Sequence, residues 1–268
     1  MQLKNKHILL TGATGGIGRH LALMLARKGA NLALVGRDSA KLNALTLEVA
    51  QNGGNATPIV ADFDVPVAPE VVVARATEKL GSIDILINNA AILDFIQFED
   101  QSSERITQMI HTNVTAPLQL VRAVLPKFKA SNRGHIVMVG SILGSLGFPH
   151  YATYSATKFA IHGFSQALRR ELIDTDIGVT YVAPRSVNTP MNDAATLAML
   201  ANTGGHVDEP DKVAAMIVKA IESERQELFI GQPESFFAWL NGISPKIVNL
   251  GLKKQALAAK NYVGRKSC

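Results

Sequence analysis

The chain has a single cysteine, and that cysteine is its last residue, Cys268. An internal disulfide and a cysteine-based metal centre are therefore excluded, and a reducing, cytoplasmic setting is expected. No run of ~18 apolar residues is present to span a bilayer. The N-terminal stretch passes from Lys4-Asn5-Lys6 directly into an apolar segment and a glycine-rich turn. It lacks the small-residue cleavage site of a secretory signal. Internal repeats and low-complexity tracts are also missing. Acid is absent from the final stretch. Residues 235–268 hold six basic residues and no Asp or Glu, whereas residues 1–234 hold 21 Lys and Arg against 22 Asp and Glu. The net charge of +5 thus belongs to the tail. The body is slightly acidic and carries no legible basic groove, which argues against nucleic-acid binding.

What is present is apolar. Hydrophobic residues make up 47% of 268, enough for one large core. His7 to Leu10 reads as a buried strand. It runs into Thr11-Gly12-Ala13-Thr14-Gly15-Gly16-Ile17-Gly18, then an amphipathic helix over Leu21 to Lys28. Strand, glycine turn and helix together aim helix N-terminal amides at a phosphate, and glycines let a pyrophosphate approach the backbone. Asn31 to Val35 is the second strand. At its end, where an acid would bind the ribose 2′-hydroxyl of NAD, stand Gly36 and Arg37. A guanidinium binds a 2′-phosphate by charge-assisted hydrogen bonds, so NADP is expected rather than NAD. The alternative is that Arg37 is a solvated loop residue and Asp38 serves the ribose.

Residues 39–50 read as a helix and Pro58 to Ala61 as strand three. Asp62 follows as a candidate for the adenine, with Asp64 its rival. Val71 to Leu80 is a helix. Ile83 to Ile87 is strand four, leading into Asn88-Asn89-Ala90-Ala91, where small residues let the backbone lie close to a cofactor. Asn89 reads as a structural amide bridging strands. A long helical region over residues 102–127 contains Asn113, read either as a surface residue or as a kink or water site in the core, because a buried amide is costly unless paired. Gly134 to Gly140 is strand five. It delivers Ser141 to its C-terminal end, where open α/β sheets place ligands. An apolar loop over residues 142–148 precedes a helix running to Ile173. Val179 to Val182 is strand six, followed by Ala183 to Pro190. Residues 191–207 show no firm period and are expected to form a mobile lid, with the lid as a whole spanning about 185–207. Asp211 to Glu222 is a helix and Glu227 to Ile230 a seventh strand. The alternation defines an α/β fold, a doubly wound parallel seven-stranded sheet of the Rossmann type. Residues 1–234 form one NADP-binding catalytic domain and 235–268 a C-terminal helical extension.

Tyr154 and Lys158 stand four residues apart on one helix face. A phenol ionises near pH ~10, and a neighbouring ammonium is expected to lower that value. Such a tyrosine can pass a proton to or from a substrate oxygen. Tyr151 is a rival, but Ser155 occupies its +4 position, so Tyr151 is expected to line a pocket.

Over residues 5–232 the sequence resembles the short-chain dehydrogenase/reductase superfamily. Thr11 to Gly18 matches the family's Thr-Gly-x-x-x-Gly-x-Gly pattern, and Asn88-Asn89-Ala90 its Asn-Asn-Ala-Gly, with Ala91 replacing the glycine. Asn113, Ser141, Tyr154 and Lys158 match its four active-site residues. The resemblance implies a cofactor set of Gly12, Thr14, Gly15, Gly16, Ile17, Gly18, Arg37, Asp62, Asn89, Ala90, Tyr154, Lys158, Pro184, Val187 and Thr189. It implies that Tyr154 is the acid/base, that Lys158 binds the nicotinamide ribose and tunes Tyr154, and that Ser141 bonds the same substrate oxygen. Asn113 would hold a water, and Thr189 would contact the nicotinamide amide. It also implies a homo-oligomer, dimer or tetramer. One departure matters. Where the family has Pro-Gly after strand six, this chain has Pro184-Arg185. Arg will not adopt φ > 0 freely, so the loop was expected either to run differently or to aim Arg185 at solvent or at an anionic substrate group.

The tail combines Phe236, Phe237, Trp239, Leu240, Ile243, Ile247, Val248, Leu250 and Leu252 with Lys246, Lys253, Lys254, Lys260, Arg265 and Lys266. An aromatic, basic, amphipathic segment reads as a peripheral membrane contact. The competing reading is a helix that packs on the body or on a second subunit. The function expected is reduction of a ketone, or oxidation of a secondary alcohol, on an apolar, lipid-like small molecule. A non-catalytic nucleotide-binding scaffold is the rival class, and its mark would be loss of Tyr154 or Lys158.

Overall fold

The computed structural model describes residues 1–63 and 69–263. Asp64, the second adenine candidate, and Arg265, Lys266 and Cys268 lie outside the described residues. The first half of the chain runs β1 (His7–Thr11), α1 (Gly16–Arg27), β2 (Asn31–Gly36), α2 (Ser39–Gln51), β3 (Asn55–Val60), α3 (Pro69–Leu80) and β4 (Ile85–Asn88). The second half continues with α4 (Ser103–Ile110), α5 (Ala116–Ser131), β5 (Gly134–Val139), α6 (Ala152–Glu171), β6 (Ile177–Pro184), α7 (Ala194–Thr203), α8 (Pro210–Glu222) and β7 (Glu227–Ile230). It ends with α9 (Glu234–Ile243) and α10 (Pro245–Ala259).

The strands form one sheet in the order β3-β2-β1-β4-β5-β6-β7, and every neighbouring pair is parallel. Both sheet faces are covered, which explains why the strands read as continuous apolar runs rather than alternating ones. Ile8 and Leu10 of β1 face a layer built from α1, α2 and α8, while Leu9 faces a layer built from α3, α5 and α6. The strand order reverses between β1 and β4. That reversal opens the crevice at the carboxyl ends of these two strands where ligands of open α/β sheets bind.

Several boundaries differ from the sequence reading. Strand β3 begins at Asn55 rather than Pro58 because an edge strand needs no apolar residues on its outer side. Helix α1 begins at Gly16, a turn before its apolar period starts. The long helix over 102–127 is two helices joined by a wide π-type turn at His111–Thr115, and α5 continues past Pro126 to Ser131. Within residues 191–207, expected to form a mobile lid with no firm period, residues 194–203 are helical. Asp193 caps α7 by accepting from the Thr196 N–H at 2.7 Å, and Gly204 closes it in the left-handed region. The segment Ala-Ala-Thr-Leu-Ala-Met-Leu-Ala is apolar on all sides, so it has no polar face to reveal a helical period.

The tail forms a helical hairpin with Ser244 between its two helices. Its inner face is seated on the body. Ala238 and Val248, with Phe237, Leu240 and Leu252, pack on Ile142 and Leu146 of the apolar loop after β5. Further along, Ala259 and Tyr262 join Met109, Tyr151, Tyr154 and Met199.

Candidate active site

A cleft of about 770 Å³ runs along the carboxyl edge of the sheet. Its first arm is built by the glycine turn. Gly12 adopts φ of +62°, and a Cβ there would lie 2.8 Å from the Cα of Ala90. Only glycine meets both demands. Gly15, the N-cap of α1, offers no side chain, so the first-turn amides of that helix face the cleft uncapped. Thr14, Gly15, Gly16 and Ile17 all line it. Gly18 does not. It is buried, and a Cβ on it would collide with the Gly12 carbonyl oxygen, so its part is to let α1 pack tightly against the turn. Asn89 ties the two strand ends at the switch point. Its Nδ2 donates to the carbonyls of Thr11 and Gly12, both at 3.1 Å. The Thr11 hydroxyl accepts from the amides of Asn89 and Ala90 at 3.0 and 3.1 Å. This is the bridging amide read from the sequence.

Arg37, Asp38 and Asp62 line the next stretch. Asp38 caps α2 by accepting from the Lys41 N–H at 3.0 Å, and this bond holds its carboxyl below the usual range. The Lys41 ammonium lies 3.6 Å from the same carboxylate. Asp38 thus caps its own helix while still lining the cleft. Lys41 also lines the cleft. Sequence reasoning missed it, although the Asp-x-x-Lys spacing at the start of a helix was there to be read.

At the middle of the cleft Ser141, Tyr154 and Lys158 come together. Ser141 leaves β5 in an extended conformation, and its Oγ accepts from the Leu143 N–H at 3.1 Å. Its carbonyl accepts from the Tyr181 hydroxyl at 3.2 Å. Tyr181 fits under the loop because Gly140 and Gly144 lack side chains, and it stacks on His162 at 4.3 Å. The Lys158 ammonium donates to the Val139 carbonyl at 3.0 Å and lies 5.5 Å from the centre of the Tyr154 ring. Burial pushes the Tyr154 phenol above its usual range, against the opposing influence of the nearby Ser141 hydroxyl. Burial also lowers Lys158 to about 8. The expected lowering of the tyrosine by the lysine is therefore reversed in the protein alone. Desolvation of both groups outweighs their attraction across this distance.

Asn113 lies inside the π-type turn, fully enclosed, and does not line the cleft. Its Oδ1 accepts from Ile92 N–H at 2.8 Å, and its Nδ2 donates to Ile92 O at 2.8 Å and to Thr157 Oγ at 3.1 Å. Thr157 in turn donates to the Tyr154 carbonyl at 2.7 Å. Of the two sequence readings, the kink in the core is the one found, and the carboxamide is spent on protein partners. Thr157 was not singled out from the sequence. A wide helical turn of this kind recurs at functional sites.

The far arm is apolar. Pro184, Val187 and Thr189 lead into Phe148, Tyr151, Met199, Leu200, Phe237 and Leu252. Tyr151 bonds Thr196 Oγ at 3.2 Å and stacks on Phe95 at 5.0 Å. Burial pushes its phenol up to about 12, consistent with a wall residue. Arg185 takes neither of its expected roles. Its guanidinium grips Asp208 with two bonds of 2.9 and 2.8 Å and reaches Glu234 at 3.0 Å and the Gln232 carbonyl at 2.8 Å. Its φ is not positive. The loop has thus accepted arginine without strain and uses it to tie the entry to α8 to the start of α9.

The comparisons with known proteins agree with this geometry. The family model described as short chain dehydrogenase matches residues 6–199, so the chain belongs to that family of oxidoreductases. The oxidoreductase UcpA of Escherichia coli (strain K12) is 35% identical over 240 residues, which is 88% of this chain and 89% of UcpA. The ketoacyl reductase HetN of Nostoc sp. (strain PCC 7120) is 31% identical over 230 residues, covering 86% of this chain and 80% of HetN. Dehydrogenase/reductase SDR family member 7B of Bos taurus is 29% identical over 279 residues, covering 99% and 84%. A crystal structure of a dehydrogenase/reductase from Sinorhizobium meliloti 1021 superposes with a TM-score of 0.75 at 29% identity, covering 85% of this chain and 95% of that one. Membership implies a nicotinamide cofactor, NAD or NADP, and a small-molecule substrate. Among the described residues no helix is long and apolar enough to cross a membrane.

Proposed function

We propose that the protein is an NADP-dependent reductase of an apolar ketone, with oxidation of the matching secondary alcohol as the reverse reaction. The observation that carries this reading is the meeting of Ser141, Tyr154 and Lys158 at the joint between a glycine-lined arm and an apolar arm of one cleft. The first arm suits a dinucleotide. Uncapped α1 amides and glycines without Cβ atoms fit a pyrophosphate, and Arg37 with Lys41 fits a 2′-phosphate. When bound, the nicotinamide supplies the hydride.

The chain's own residues supply the rest. A buried phenol stays protonated at neutral pH, so Tyr154 acts as a proton donor to the ketone oxygen. Ser141 Oγ bonds the same oxygen. Lys158, charged below a pKa of about 8, stabilises the phenolate left behind. Asn113 positions the helix turn beneath Tyr154 through Thr157. Thr189, Pro184 and Val187 shape the nicotinamide end. The apolar arm admits a lipid-like chain, and the similarity to a protein named a ketoacyl reductase supports a ketone. Homo-oligomerisation through the outer face of α6, where Ala156, Phe159, Ala160 and Gly163 are exposed, completes the reading.

Oxidation of NADPH and of NADH, each measured with a panel of lipophilic ketones, tests it. Turnover with NADPH is expected, with Tyr154→Phe lower by about 10² or more while still binding the nucleotide. Full activity of Tyr154→Phe would sink the mechanism. A preference for NADH that Arg37→Ala leaves unchanged would sink the cofactor assignment.

A further inference from the structure

The hairpin α9–α10 is apolar on both faces, and only the inner one is covered. In α10, Val248, Leu252 and Ala259 point at the body, and Gln255 bonds the Thr203 carbonyl at 3.4 Å. The opposite side of the same helix carries Ile247, Leu250 and Leu257, each more than half exposed. In α9, Phe236, Trp239 and Ile243 form a matching exposed row, with the Phe236 and Trp239 rings 5.7 Å apart. Lys246, Lys253 and Lys254 are exposed on α10, Lys260 is exposed just beyond its end, and residues 235–263 contain no Asp or Glu. At helical spacing these lysines fall among and beside the outward leucines and isoleucine.

From this surface we infer that the outer face of α9–α10 docks on an anionic phospholipid bilayer. Exposed apolar rows of this extent mark an interaction site. An aromatic and aliphatic face interleaved with lysines matches the chemistry of an anionic bilayer interface, where rings and leucines enter the acyl boundary and ammonium groups meet lipid phosphates. A second copy of the chain fits this face poorly. Twofold pairing would bring like patches together, setting lysines against lysines, because the one carboxylate of each hairpin, Glu234, is already held by Arg185. The arrangement is that of a surface contact, with the helices lying in the interface plane. The inner residues Phe237, Val248 and Leu252 of the same helices wall the apolar arm of the cleft, so docking would bring that arm's wall against the bilayer. The docking itself does not depend on the reaction proposed above.

Trp239 is the only tryptophan in the chain, and its emission reports the contact directly. The full-length protein is mixed with phosphatidylcholine vesicles, with and without phosphatidylglycerol, and followed by co-sedimentation and tryptophan emission. The expected result is co-sedimentation with a blue shift, about tenfold stronger on the anionic vesicles and weakened by salt. Brominated acyl chains are expected to quench the emission. The double variant Ile243→Asp/Leu250→Asp, altered only at exposed positions, is expected to lose at least about tenfold in vesicle binding. Lys253→Glu/Lys254→Glu is expected to lose the preference for anionic lipid. An unshifted emission on anionic vesicles would overturn the inference, as would unchanged vesicle binding by Ile243→Asp/Leu250→Asp. A blue shift without lipid that grows with protein concentration would overturn it in favour of a second copy.

Discussion

The cleft and the C-terminal hairpin both depart from the ordinary sorting of residues, in opposite directions. At the cleft and in the turn beneath it, polar groups are buried. Lys158 is 3% exposed and Asn113 1%. In the hairpin, apolar groups are out in solvent, with Leu250 77% exposed and Trp239 62%. Neither is what packing alone would choose, since a buried ammonium is penalised by desolvation and an exposed leucine gains nothing from burial. Local departures from good sorting concentrate where a chain does something besides fold. The two regions also manage their cost differently. Asn113 is fully bonded, so its burial is compensated, whereas Lys158 keeps a residual penalty that shows in its lowered pKa. The hairpin meets its cost by seating one face firmly on the body and leaving the other face open.

The comparison can be pressed hardest at Lys158. Lys158→Met is expected to lower kcat/KM by about 10² or more and, at the same time, to raise stability at pH 7. The sign follows from the pKa. The ammonium ionises at about 8 in the folded protein, against an ordinary 10.5. The folded state therefore disfavours the charged form, and the penalty is fully present below pH 8. It fades as pH rises toward 10.5, so the variant's advantage is lost over that range. The shift corresponds to about 3 kcal/mol, and the lost bond to the Val139 carbonyl returns about 1 kcal/mol of that. A gain of about 2 kcal/mol at pH 7 is the expected outcome in denaturant melts across this range. A variant less stable than wild type at pH 7 would show that Lys158 is not a strained group.

Gly18→Ala tests the same region by overpacking. Its new methyl would meet the Gly12 carbonyl oxygen, so a loss of about 1–3 kcal/mol is expected in thermal melts, together with weaker nucleotide binding. Arg185→Ala addresses the joint between the two regions. Removing a partly buried double salt bridge is expected to cost about 1–2 kcal/mol, and amide exchange should rise first in α9. Exchange unchanged in α9 would mean that Arg185 does not anchor the hairpin. The smallest effect is expected on the outer face. Leu250→Asp should change stability by no more than about 0.5 kcal/mol, while Val248→Asp, two residues away on the inner face, should destabilise by at least about 2 kcal/mol. Equal effects from the two would erase the distinction between a seated and an open face.

Much of the site was legible because its signals are local. The glycine turn between a strand and a helix, Ser141 at a strand end, and Tyr154 with Lys158 on one helix face each span fewer than ten residues. The apolar strands announced a sheet covered on both sides. Less was legible where partners are far apart in the chain. Arg185 could not be placed from its neighbours because its carboxylates are Asp208 and Glu234. Asn113 depended on Ile92 and Thr157. The helix over 194–203 was hidden by a segment with no polar face, and Lys41 was overlooked beside the more conspicuous Arg37.

By itself the sequence determined the order of strands and helices, the glycine turn between β1 and α1 and the identity of the residues that meet at the joint of the cleft, because periodicity, glycine geometry and i, i+4 spacing are properties of the local chain. Only the tertiary structure decided how those residues are solvated and which face of the hairpin is open. Desolvation and packing depend on what surrounds a group in space, and that is why Tyr154 is held protonated rather than ionised beside its lysine, and why Val248 is core while Leu250 faces outward.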